Sequence, residues 1–322
     1  MRAAGWSATF PGVSMGARAE VQVPVVPYAS LADFVATVGP SREVPRWARL
    51  ASVPLPFREG VARARLEDAL ETVVSLQRAE WLEDGVYLGP RAYGEAWTEL
   101  LGAARVLGVP VPPGLATSIT MARQGAIGTD GRAFVVSSAF FLSAASSGER
   151  SFALGRAVGM VAAGTVTGST CYALLTDTGG IGAAARKVLG PALELLVAPV
   201  SLGARLALSR WHRAAEVVAD RAGLLVCRSV DDAGRAMLRV SLGGQSEVDP
   251  SAYLDQLRAG RAESPGRFAE LIADRPWLHK RLAALELFAS SAAYAEVTGI
   301  TPRDPIDDDT LERRTRALLA VG

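Results

Sequence analysis

The chain is short of histidine. Its 322 residues include two, His212 and His279, so an imidazole-rich catalytic or metal site has little to be built from. Cysteine is as scarce. Cys171 and Cys227 exclude a disulfide framework by count, and both stand in apolar helical context, where a buried free thiol is expected. Charge of one sign is lacking too. The net charge is +1, which leaves no electrostatic footprint for nucleic acid. The first residues, MRAAGWSATFPGVSMG, hold no continuous apolar run of the kind a signal peptide needs. Long apolar runs are few. Residues 157–176 carry no charge and match a bilayer in length, but they are rich in Gly, Ala and Thr. Residues 188–204 are interrupted by Pro191, Glu194 and Pro199. A cytoplasmic protein is expected, with membrane association as the alternative.

What is present is an apolar-rich chain, 49% against 21% charged, long enough for one domain with a sizeable core and an extension. Residues 1–59 are rich in proline, from Pro11 to Pro56. They read as an N-terminal extension, an extended arm with one short helix over 30–38. The main domain is expected over 60–300 and a charged C-terminal tail over 301–322, helical from Asp309. Leu66, Leu70, Val73 and Val74 follow helical spacing over 65–81. Trp97, Leu100, Ala104 and Leu107 do so over 93–107, and that helix ends before VPVPPG. Short β-rich runs at 118–121 and 134–136 flank the turn Thr129-Asp130-Gly131. DTGGIG at 177–182 reads as a turn between helices. Further helices are expected over 191–197, 203–226, 252–258 and 268–273. Ser229 and Asp232 form a capping pair for a helix to 242, and one long helix is expected over 277–297.

The chain is organised around residues 152–164, FALGRAVGMVAAG. This is the pattern of a buried helix whose small residues let a neighbouring backbone come close. It holds one charge, Arg156, with Met160 one turn later on the same face. A buried guanidinium is costly unless a carboxylate meets it.

FALGRAVGMVAAG resembles the active-site helix of the HtpX-like zinc metallopeptidases, the family that includes the CAAX prenyl endopeptidases. Their version reads F-x-L-G-H-E-x-G-H and carries H-E-x-x-H, two zinc-binding histidines around a glutamate base. Leu154, Gly155 and Gly159 match. The histidine positions hold Arg156 and Met160, and the glutamate position holds Ala157. WHRAAEVVADRAGLL at 211–225 resembles the second helix of the family, with Glu216 at the third zinc-ligand position and Asp220 at that of an orienting aspartate. DRPWLHKRL at 274–282 resembles the H-P-x-x-x-x-R segment. Pro276 and Arg281 match, and Arg275 stands at the histidine. The resemblance implies an α+β, mostly helical, zincin-like metallopeptidase fold with a small sheet packed on the active-site helix.

The replaced residues bear on the chemistry. Arginine stays protonated and offers no lone pair, the methionine thioether is a soft ligand ill-suited to zinc, and alanine takes no proton. Of the family set only Glu216 can ligate, and catalytic zinc needs three protein ligands and an open position. No metal or other cofactor is therefore expected, although the family binds zinc. His212, one turn before Glu216, is the weak alternative ligand. If the fold is kept, Arg156 should point at Glu216 or Asp220, a guanidinium standing where a zinc ion stood. The resemblance thus implies a pseudo-peptidase that keeps a peptide groove. A peptide or protein would add as a strand beside residues 134–137, from Phe134 to Ser137. The alternatives are a divergent metalloendopeptidase with an unorthodox metal site and a regulatory subunit of an active relative.

Overall fold

Two helices meet at a distance that only small residues allow. A Cβ on Gly155 would stand 2.8 Å from Val226 Cβ, one on Gly159 would overlap the Ala222 methyl, and one on Gly223 would come within 2.7 Å of Phe152 and of the Arg156 stem. The computed structural model describes residues 30–38, 43–51, 61–119, 124–176, 202–242, 252 and 276–320. In chain order its helices are α1 (Leu31–Val38), α2 (Val61–Glu83), α3 (Gly94–Leu107), α4 (Ala139–Ala144), α5 (Ser147–Ala163), α6 (Val166–Thr176), α7 (Leu202–Cys227), α8 (Val230–Ser241), α9 (Leu278–Ala289), α10 (Ala292–Thr298) and α11 (Asp308–Leu319), with a 3-10 turn at Arg46–Ala51. The strands are β1 (Val86–Tyr87), β2 (Gly114–Thr117), β3 (Gly125–Ile127) and β4 (Phe134–Ser138). The closely packed pair is α5 and α7. The described residues are mostly helical with one small mixed sheet, as the α+β expectation has it.

Helix α5 begins five residues before the apolar run that announces it. Ser146 and Glu149 close a capping box: Ser146 Oγ accepts from Glu149 N at 3.3 Å, and Glu149 accepts from Ser146 N at 2.7 Å. The helix ends at Gly164 in the left-handed conformation, φ 65°. The chain then bends by 105° into α6. The first amides of α6 are satisfied from outside. Val166 N and Thr167 N donate to Asp130 Oδ1 at 2.9 and 3.3 Å, so the Thr129-Asp130-Gly131 turn caps a helix 36 residues downstream.

The sheet runs β1-β2-β4-β3. β2 and β4 pair in parallel, Gly114 opposite Val135 through Thr117 opposite Ser138, and the two outer pairings are antiparallel. The strand expected at 118–121 is corrected for its described half: Ser118 and Ile119 lie outside any strand, residues 120 and 121 lie outside the described residues, and the paired residues are 114–117. Gly114 and the prolines before it hid this strand. At that position a Cβ would meet Leu88 Cδ1 at 2.7 Å and Leu100 Cδ2 at 2.9 Å, so the strand needs its glycine.

The single helix expected over 277–297 is two. Ser291 Oγ donates to Phe288 O at 2.7 Å and accepts from Tyr294 N at 3.2 Å. Ile306 bonds across the break, with Ala292 N to Ile306 O at 3.0 Å and Ile306 N to Ser290 O at 2.9 Å. The helices expected over 30–38, 65–81, 93–107, 152–164, 203–226, up to 242 and from Asp309 match within a few residues, whereas α4 and α6 were not expected as helices. The expected features at 177–182, 191–197 and 268–273, and that at 252–258 beyond residue 252, lie outside the described residues, as do residues 1–29.

The boundaries expected near 59 and 300 do not fall between packing units. Trp47 and Leu50 are buried in the same core as α3, α5, α7 and α9. Trp211 Nε1 donates to Ala51 O at 3.3 Å. On α11, Leu311, Glu312 and Thr315 are buried. Arg221 of α7, fully buried, donates to Trp47 O at 3.2 Å, Glu312 Oε1 at 2.7 Å and Thr315 Oγ1 at 3.0 Å. Burial is the largest influence on this guanidinium and lowers its pKa, opposed by the Glu312 charge. Among the described residues no single helix is long and apolar enough to cross a membrane; only α5 and α6 taken together pass on length and composition.

Candidate functional site

The close approach of α5 and α7 decides where Arg156 goes. With Gly223 opposite its stem, the side chain lies across α7 and reaches two carboxylates one turn apart. Arg156 Nε donates to Asp220 Oδ1 at 2.5 Å and Nη2 to Glu216 Oε2 at 2.9 Å. Arg281, arriving from α9, donates to both oxygens of Asp220, Nε to Oδ2 at 2.8 Å and Nη2 to Oδ1 at 2.7 Å. That bidentate geometry suits a planar fork on a planar carboxylate. Asp220 is 0% and Glu216 5% exposed. The cluster is two cations and two anions, balanced within itself. Burial is the largest influence on Arg281 and lowers its pKa, but the Asp220 charge and hydrogen bond, with Glu216 beyond, outweigh it, and the net direction is up.

His212 lies at the edge of this cluster. Its Nε2 is 3.9 Å from Glu216 Oε1, and its ring stacks on Tyr172 with centroids 4.0 Å apart and planes at 17°. The other two replaced positions face elsewhere. Ala157 is buried in the main core. Met160 packs with Leu31, Ala126, Ala133, Val161 and Val166 between α5 and the sheet. Arg275 lies outside the described residues. His279 is half-buried, edge-on to Trp277 at 5.8 Å.

These residues do not fit a catalytic zinc site. The carboxylates that could approach a cation already hold a guanidinium, and neither Arg156 nor Met160 supplies a suitable lone pair for zinc. Among the described residues no group of three His, Cys, Asp or Glu side chains is placed to hold a metal.

Beside the cluster is a small open cleft of about 20 Å³, lined by Arg156, Arg281, Gln124, Phe152, Met237 and Val240 among others. Gln124 sits just before β3, and its Oε1 accepts from Ser137 Oγ at 2.7 Å. Nothing in the sequence marks this glutamine, which stands in a loop with no motif around it. The strand geometry also moves the place where a peptide could add. β4 lies between β2 and β3, and its residues 134–136 are already paired with β3. The expected addition beside residues 134–137 is therefore taken by the protein's own strand at 134–136, and among the described residues the edge strand on that side of the sheet is β3.

Other ion pairs surround α5 without joining the cluster. Arg239 pairs with the capping Glu149 at 3.2 Å. Arg150 donates to Glu99 at 2.9 Å and to Ala145 O at 2.8 Å. Its pKa is raised, chiefly by the Glu99 hydrogen bond. These tie α3, α5 and α8 together. No family model, no curated protein and no solved structure matches the chain.

Proposed function

We propose that this chain is a pseudo-peptidase of the HtpX-like zinc metallopeptidase type, a zincin-like protein that binds peptide or protein without hydrolysing it. One observation carries the reading. Three stretches were singled out by resemblance to that family, around residues 156, 216–220 and 281, and their side chains converge in one hydrogen-bonded cluster. Arg156 stands at a histidine position and bonds the carboxylates at the glutamate-ligand and aspartate positions. A guanidinium thus neutralises the charges that a zinc dication would neutralise in the family. Hydrolysis of the family kind needs a metal-activated water and a base, and Ala157 and Arg156 supply neither. A peptide would pair with the edge of β3 through its backbone, a mode that needs strand geometry rather than particular side chains. A cytoplasmic setting suits this role.

The test is metal content together with proteolysis. Purified protein should hold well under one equivalent of zinc, its melting temperature should not move on adding a chelator, and casein should survive incubation with it. A chelator-induced fall of several degrees would mean that a native-state metal contributes to stability, and the reading would fall with it. Chelator-sensitive casein cleavage would restore the metalloendopeptidase alternative.

A further inference from the structure

We draw no further inference here: the strongest candidate, the surface of exposed apolar side chains at Leu76 and Leu82 on α2 and at Val86 and Tyr87 on β1, the outermost described strand of the sheet, offers a strand edge only two residues long, and nothing in the structure shows what covers it.

Discussion

Arg156 is the residue on which the site turns, because it is a cation held between buried carboxylates. Removing one partner of a buried ion pair typically costs about 3–5 kcal/mol, a range whose lower end applies here because Asp220 keeps Arg281, whereas an arginine facing solvent changes stability by no more than about 0.5 kcal/mol. Arg156→Ala should therefore destabilise strongly in denaturant melts. Glu216→Gln should cost less, since the amide keeps the shape and one acceptor. The double variant Arg156→Met, Glu216→Gln should recover part of the loss, and the coupling in that cycle is the quantity to measure. Single effects that add within about 0.3–0.5 kcal/mol would mean that the two side chains act independently. This pairing was legible in advance because a lone charge in a small-residue helix demands a partner, and the resemblance pointed to residues 216 and 220. The second arginine on Asp220 was not. Arg281 was marked as a matching residue, but a carboxylate has room for several donors, and nothing in sequence says how many it takes. Gln124 was invisible, since a glutamine in a loop carries no period and no motif.

At the scale of elements, the α5–α7 contact sets the reach of that arginine. Gly159→Ala would drive a methyl into the Ala222 methyl, and overpacking of this kind typically costs about 1–3 kcal/mol. The second change Ala222→Gly should return part of the loss, because it vacates the space that the new methyl needs. If Gly159→Ala proves neutral and Ala222→Gly adds its own cost on top, the helices do not pack as closely as described. The helix ends and the helical periods were readable from sequence because they depend on neighbours three and four residues away. The sheet was harder. Whether 114–117 or 118–121 forms the strand depends on a parallel partner twenty residues on, and on Leu88 and Leu100 needing a glycine beside them. A serine pair broke the long C-terminal helix for a similar reason: its alternative bonds come from Ile306, which no local window contains.

For the molecule as a whole, the described parts of both terminal regions are fastened to one another. Arg46 donates to Asp308 Oδ2 at 2.7 Å and Oδ1 at 2.8 Å, and Arg49 reaches Oδ2 at 3.0 Å. The Arg46 hydrogen bond is the largest influence on the Asp308 carboxyl and holds it below its ordinary value of 3.8. A depressed carboxyl contributes stability that is present above its unfolded pKa and lost as pH falls through the native one. Asp308→Asn should therefore lower the melting temperature relative to the unaltered chain at about pH 6, and the gap should close as the pH drops below the ordinary carboxylate range. A gap that stays constant into acid would show that the carboxylate charge is not what fastens α11. The composition of residues 1–59 and 301–322 suggested an arm and a tail. Prolines and charges mark a surface, however, and the surface of a packed segment looks the same in sequence as that of a loose one. The buried Arg221 has a consequence for how the chain is made. Its carboxylate partner, Glu312, lies 91 residues later. At roughly 5–20 residues per second, a ribosome that has just delivered α7 needs on the order of ten seconds more to deliver that partner. For that interval the nascent chain carries a cation with its charge partner still unsynthesised, and α7 can take up its final place only once α11 has been made.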